Sequence, residues 1–329
     1  MLTRSRFLRA TIGATLGTLC LLPFASQAQA PAWPTQPIKI ILPTPAGIGP
    51  DVWLRRITPR LAEKLGQPVV VDNKPGGNGI IGARTVLTAA PDGYTLLFTS
   101  VAEILAVKYL NPTSSFGTEN FVPVMAAIEP QMFFVTSPNL PAKNMKEFIA
   151  HAQSRKGEVT FGTSGVGSPF HLTAQSLSQT AHVNLTHVPY KGTLPAIQDV
   201  IGGRIDSGFG SVAGIGQFMQ KGQLRPLAVL SHQRNKGFAD VPTIYEAVPG
   251  ITLPPDWFGF WAPSGTPQSV VATLNKALLA AMDSPDNANW LQTNGFVQIG
   301  STPEKQTEMS RQGRDVYDPL AKAINLRPE

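Results

Sequence analysis

Two turns rich in glycine and hydroxyls hold the residues best suited to bind an anion. The first, Pro43-Thr44-Pro45-Ala46-Gly47-Ile48-Gly49-Pro50-Asp51, links an aliphatic run to an amphipathic stretch. Backbone N–H groups at the head of a helix, with the positive end of its dipole behind them, make an anion site. The same turn also reads as a rigid loop with Asp51 as helix cap. The second, Gly162-Thr163-Ser164-Gly165-Val166-Gly167-Ser168-Pro169-Phe170-His171, has the same construction. Facing each other across a cleft, the two turns would offer a carboxylate hydroxyls, free amides and two helix starts. A carboxylate needs several such donors and can be held without an arginine. The residues that would supply them are Thr44, Ala46, Gly47, Ile48 and Asp51 on one side, and Thr163, Ser164, Gly167, Ser168 and His171 on the other.

Other chemistry is weaker on the page. Ser164 sits in Gly-Thr-Ser-Gly-Val, one place away from the G-x-S-x-G nucleophile elbow. A secreted serine hydrolase using Ser164 or Ser168 with His171 is the alternative from another functional class. His171 reads equally as a donor to ligand or as a brace for the local backbone. The five histidines show neither H-E-x-x-H nor paired spacing, so no metal is expected. Gly77-Asn78-Gly79-Ile80-Ile81-Gly82 satisfies G-x-G-x-x-G, yet the only acid at the ribose-binding distance is Glu103, off a clean strand end. These glycines therefore read as a tight turn that lets a helix pack on its strand, and no cofactor is expected. Tyr190 and Lys191 could bring a ring and a cation to the cleft; a packing tyrosine beside a solvated turn lysine is the competing reading. Ser100 and Glu103 fall at the carboxyl edge of a strand, where open sheets bind ligands. Trp257, Phe258, Phe260 and Trp261 read as core at a lobe junction, with one ring available to the cleft.

The elements that must position these residues alternate short aliphatic runs with helical periodicity, the pattern of an α/β protein with mostly parallel strands. Strand 38–42, helix 51–65, strand 69–71, helix 80–89 and strand 94–98 form two tandem units of a doubly wound lobe. A second series repeats the grammar: strand 131–136, helix 145–153, strand 159–162, helix 169–180, strand 184–188, helix 193–201, and strands 205–209 and 227–230. An extended run at 257–263 and helices 267–282, 285–294 and 303–323 follow. Those last helices need a sheet to cover, and the first lobe has one. The expected organisation is thus a first lobe at 31–130, a second at 131–252 and a return to the first at 253–329, joined by two crossing strands.

Arg4, Arg6 and Arg9 precede an apolar run ending at Leu22, and Ala28-Gln29-Ala30 offers a small-x-small cleavage site: an export signal over 1–30. The run is too short and interrupted to span a bilayer, so no stable membrane insertion is expected. The formal charge of +6 loses three arginines with that segment, leaving +3 without a long basic run, which excludes nucleic acid as an indicated partner. Cys20 is the only cysteine and leaves too, so an oxidising compartment is tolerated without a disulfide.

A succession of spaced motifs resembles the Bug family, the solute receptors of tripartite tricarboxylate transporters. They are Leu65-Gly66-Gln67-Pro68-Val69-Val70-Val71-Asp72-Asn73-Lys74-Pro75-Gly76-Gly77, Ala90-Pro91-Asp92-Gly93-Tyr94, His187-Val188-Pro189-Tyr190-Lys191-Gly192, Asp240-Val241-Pro242-Thr243 and Ala262-Pro263-Ser264-Gly265-Thr266-Pro267. The resemblance covers essentially all of residues 31–329. It implies a type II periplasmic-binding-protein fold, two doubly wound α/β lobes joined by two crossing strands, with Venus-flytrap closure. It further implies a periplasmic, monomeric receptor without enzymatic activity, capture of a small organic carboxylate between the loops Thr44–Asp51 and Thr163–His171 with waters bridging to the first, and delivery to inner-membrane transporter subunits. The chain departs from the family pattern at Pro45-Ala46-Gly47-Ile48, where an Ala-Pro-Gly-Gly turn is usual, and at Gly210-Ser211, where the family often has an Asp and a polar neighbour. These departures point to a ligand that is larger, less polar, or without an amine or second carboxylate.

Overall fold

The computed structural model describes residues 33–111, 116–155 and 157–327, so the signal segment expected over 1–30 lies outside the described residues. The chain opens with β1 (Ile38–Leu42), α1 (Gly49–Leu65), β2 (Val69–Asn73), α2 (Ile80–Leu87), β3 (Thr95–Ser100), α3 (Val101–Leu110) and β4 (Phe121–Pro130). It crosses to β5 (Met132–Thr136), α4 (Met145–Arg155), β6 (Thr160–Thr163), α5 (Pro169–Ala181), β7 (Thr186–Pro189), α6 (Thr193–Ile201) and β8 (Ser207–Ser211). After α7 (Val212–Gln220), β9 (Arg225–Val229) and the one-turn α8 (Ile244–Ala247), it returns through β10 (Phe258–Pro263), α9 (Gln268–Met282), α10 (Pro285–Asn294), β11 (Phe296–Gln298) and α11 (Pro303–Ala323).

Two sheets result. The first has the order β11-β4-β10-β3-β1-β2, the second β7-β6-β8-β5-β9. In each, one antiparallel strand is inserted within an otherwise parallel set, β10 between β3 and β4 and β5 between β8 and β9, and in the first sheet β11 adds a further antiparallel edge on β4. β10 and β5 are the strands that the crossings deliver, because the chain arrives from the other sheet and enters from the opposite end. The first crossing is short and pinned: Gln131 N donates to Gly295 O at 2.7 Å, and the buried Gln131 amide bonds Gln233 O and Asn235 Nδ2 at 3.0 and 2.7 Å.

β1 is Ile-Lys-Ile-Ile-Leu with only Lys39 exposed, since helices cover both faces of the sheet. Trp53, Leu54, Ile57 and Leu61 of α1 meet Leu274 and Leu278 of α9 on one face. Val86, Leu105, Tyr317 and Leu320, from α2, α3 and α11, close the other around Trp261. Phe134, Phe148, Phe161 and Leu177 form one core of the second sheet, Ile197, Val200, Ile215 and Met219 the other. Gly66 ends α1 in a left-handed C-cap at φ 68°, which glycine adopts without steric cost.

Several elements lie beyond the sequence expectations: α3, β4, α7 and β11. β4 is buried over Val124–Ile128 on both faces and contains Pro123, so it shows neither alternation nor an unbroken β-branched run. α3 and α7 start directly after their strands, at Val101 and Val212, with no intervening loop to announce them.

Candidate ligand-binding cleft

Between the carboxyl ends of the two sheets lies a cavity of about 600 Å³. Four helix starts border it: Ile48 and Gly49 at α1, Ser100 at α3, Ser168 at α5 and Ser211 at α7. Three of these are capped alike. Ser100 Oγ accepts from Ala102 N at 3.2 Å, Ser168 Oγ from His171 N at 3.3 Å and Ser211 Oγ from Gly214 N at 3.3 Å. A serine that accepts in this way keeps its hydroxyl proton to donate. Ser100 gives its proton to Asp256 Oδ1 at 3.3 Å. α1 differs: Ile48 has no side chain to cap it, so its first turn presents bare backbone. Concentrating helix starts on one cavity concentrates partial positive charge there.

Of the residues the sequence singles out, Ile48, Ser100, Ser164, Gly167, Ser168 and Ser211 stand on the cavity wall. Thr44, Ala46, Gly47, Asp51, Thr163, His171, Tyr190, Lys191 and Gly210 do not, and most have work elsewhere. Asp51 is buried beneath its turn, accepting from Gly47 N at 2.8 Å, Asn73 Nδ2 at 2.9 Å and Arg55 Nε at 3.1 Å; Asn73 Nδ2 also reaches Thr44 O at 3.0 Å. Burial pushes the Asp51 carboxyl up, but the bonds from Gly47, Asn73 and Arg55 together hold it below the usual range. Thr163 Oγ1 shares a 2.7 Å hydrogen bond with His187 Nε2 and donates to Gly165 O at 3.0 Å. His171 Nδ1 accepts from Gly167 N at 3.2 Å, and its ring stacks on His187 at 3.9 Å. Burial holds both imidazoles below their usual range; His187, facing His171 as well, drops to about 4. Among the described residues neither Ser164 nor Ser168 shares a hydrogen bond with a histidine ring, so no nucleophile–base pair is assembled. Tyr190 donates to Asp199 Oδ2 at 2.6 Å, Lys191 is exposed, and a Cβ on Gly210 would fall 2.6 Å from Ile215 Cγ2, which marks a packing glycine.

The wall also holds Phe258 and Glu103, which the sequence had placed at a lobe junction and at a strand's carboxyl edge, and Asp256, Phe296 and Tyr317, which no motif announced. Phe258, Phe296 and Tyr317 arrive from the C-terminal third, and Asp256 from the second crossing. Glu103, on the first turn of α3, joins Asp256 there, with Thr99 Oγ1 donating to Glu103 Oε2. Both acids retain only a small open area toward the cavity. Burial, reinforced by Asp256, pushes Glu103 up to about 7 against the opposing bonds from Thr99 and Ser100. Burial likewise pushes Asp256 up to about 6, against the Ser100 hydroxyl. A second cavity of about 530 Å³ adjoins the first, sharing Pro130, Met132, Pro169, Phe170 and Asp256, and is lined in addition by Glu129, His232 and Tyr245. Glu129 is raised to about 7 by burial and then by Asp256.

Sequence comparison matches residues 53–326 to the tripartite tricarboxylate transporter family receptor. Protein BugT of Bordetella pertussis is 33% identical over 301 residues, 91% of this chain and 91% of its own. Among solved structures, Rpa4515 of R. palustris with adipate superposes with a TM-score of 0.74 at 30% identity, covering 90% of this chain and 100% of that one. MatC from Rhodopseudomonas palustris with bound malate gives a TM-score of 0.70 at 27% identity, covering 88% and 99%. The two-sheet architecture is accordingly the periplasmic-binding fold that the motifs implied, and the chain belongs to the Bug family of solute-binding receptors of tripartite tricarboxylate transporters.

Proposed function

We propose that this receptor closes its inter-lobe cleft on a small carboxylate-bearing molecule in the periplasm and passes it to inner-membrane transporter subunits, without chemical conversion. The observation that carries the reading is the convergence of four helix starts on one cavity of about 600 Å³. Ser168 and Ser211 hydroxyls and the uncapped amides of α1 supply donors from both lobes, and closure excludes the water that would compete for them. The capture of adipate and malate by relatives of the same fold supports a carboxylate guest. No helix among the described residues is long and apolar enough to cross a membrane, which fits a receptor that meets its transporter at the surface. The segment 1–30 serves as the export signal in this reading, the released chain acts as a monomer, and Thr44–Asp51 and Thr163–His171 are its two ligand loops.

Thermal-shift screening of mono- and dicarboxylates, followed by calorimetry, tests the proposal. Saturable stabilisation by at least one acid is expected. Saturable turnover of any of them, or fluorophosphonate labelling that Ser164→Ala or Ser168→Ala abolishes, would replace the receptor with a hydrolase.

A further inference from the structure

The cleft is not uniformly suited to an anion. Beside the starts of α1, α5 and α7 and their serine hydroxyls, its lining carries two carboxylates at the start of α3, Glu103 on the first turn and Asp256 against Ser100, and no lysine, arginine or histidine stands among the described residues that line it. Around the acids the wall is Ala102, Ala106, Leu110, Phe258 and Tyr317. A cavity built only for dicarboxylates gains nothing from two acids without a basic partner, since closure takes them further from water and brings like charges together.

Building on the receptor reading above, we propose that the physiological guest is an aminocarboxylate: its carboxylate meets the starts of α1, α5 and α7, and its ammonium group lies against Glu103 and Asp256. The pair is pre-set for this. Thr99 orients Glu103, Ser100 orients Asp256, and each acid keeps acceptor capacity beyond its own hydrogen bond. An ammonium has protons for both, and bonds between ionised partners in a water-poor site are the strong ones. The titratable groups facing Glu103 are Asp256 from the second crossing and, past it, Glu129 from β4, with the Tyr317 hydroxyl from α11; α1, α5 and α7 present no ionisable side chain to the wall. The acids sit above their ordinary pKa, so binding of a cation draws their protons off and strengthens as pH rises through about 7.

Calorimetry on the whole protein with matched straight-chain probes tests this. The probes are the ω-amino acids from β-alanine to ε-aminocaproate, with the diacid, monoacid and monoamine of each length. At one length the amino acid should bind roughly tenfold or more tighter than the monoacid and the diacid. Glu103→Gln and Asp256→Asn should each abolish that preference while leaving the monoacid as tight or tighter. Removing a buried charge spares the fold, which thermal melts verify. A diacid as the tightest ligand, a preference that survives both substitutions, or affinity for the amino acid that falls between about pH 6 and pH 8 would overturn the inference. A monoamine that binds as tightly as the amino acid while the monoacid is inert would keep the role of the acidic pair and remove the carboxylate reading. Failure of every probe would remove both.

Discussion

The turns that lead into α1 and α5 are held in place by opposite chemistry. The first is held by an ionic knot, in which the Asp51 carboxylate gathers Gly47, Asn73 and Arg55. The second is held by neutral rings, with His187 bonded to Thr163, His171 bonded to Gly167 and the imidazoles stacked on each other and on Phe161. In both, the residue that orients the turn lies off the cavity wall and braces the turn from behind. The difference lies in what acid does to each. Asp51 is depressed in the folded state, so its contribution is present above its unfolded value and lost only as pH falls through the lowered one. The histidines are also depressed by burial, but from a higher starting point; their neutral packing is secure above about 6.5 and weakens below it, for His187 as pH falls toward about 4. Acidification therefore loosens the second loop well before the first.

The comparison breaks most visibly at Asp51. Asp51→Ala leaves Arg55, Asn73 and Gly47 without their acceptor and should cost about 3 kcal/mol in denaturant unfolding at neutral pH. A loss under about 1 kcal/mol would mean that the turn does not depend on the knot. Next comes Ser168→Ala, which removes a donor from the cavity wall and should weaken carboxylate binding by about 1 to 3 kcal/mol in calorimetry; unchanged affinity takes Ser168 out of the site. The smallest effect is a contrast in sign. Raised acids destabilise the folded state once ionised, so Glu103→Gln should stabilise the empty protein by about 1 kcal/mol near pH 8 and by little near pH 5, where Glu103 is already protonated. His187→Phe should do the reverse, sparing the second loop below pH 6. Parallel melting curves across that range for either variant and the parent would erase the distinction.

Local chemistry made much of this legible in the sequence. Ile38-Lys39-Ile40-Ile41-Leu42 could only be a strand buried on both faces, and Thr302-Pro303 through Ala323 reads as a helix from cap to end because its start and stop signals are intact. The two turns were legible for the same reason: glycines and serines before a helix carry their geometry with them. What escaped depended on distance along the chain. Asp256 meets Ser100 only because β10 pairs antiparallel with β3, setting Phe258 opposite Ser100, and Phe296 reaches the wall only by joining β4. Tyr190 and Lys191 carried attractive chemistry with no signal of direction, and the fold turns Tyr190 toward Asp199. The departures at Ile48 and Gly210 pointed to a guest that is larger, less polar, or without an amine or second carboxylate; under the proposal above, Glu103 and Asp256 on the cavity wall favour one that keeps its amine.

Gly167 adopts φ 74°, and a Cβ there would fall 2.4 Å from Leu326 Cδ1. Leu326, beyond the end of α11, is thereby packed under the turn that leads into α5, so that turn and the segment after α11 are mechanically joined. A fluorophore or affinity handle attached behind Leu326 would report on occupancy and disturb it at once, and a truncation that removes this leucine would take away the footing of the loop.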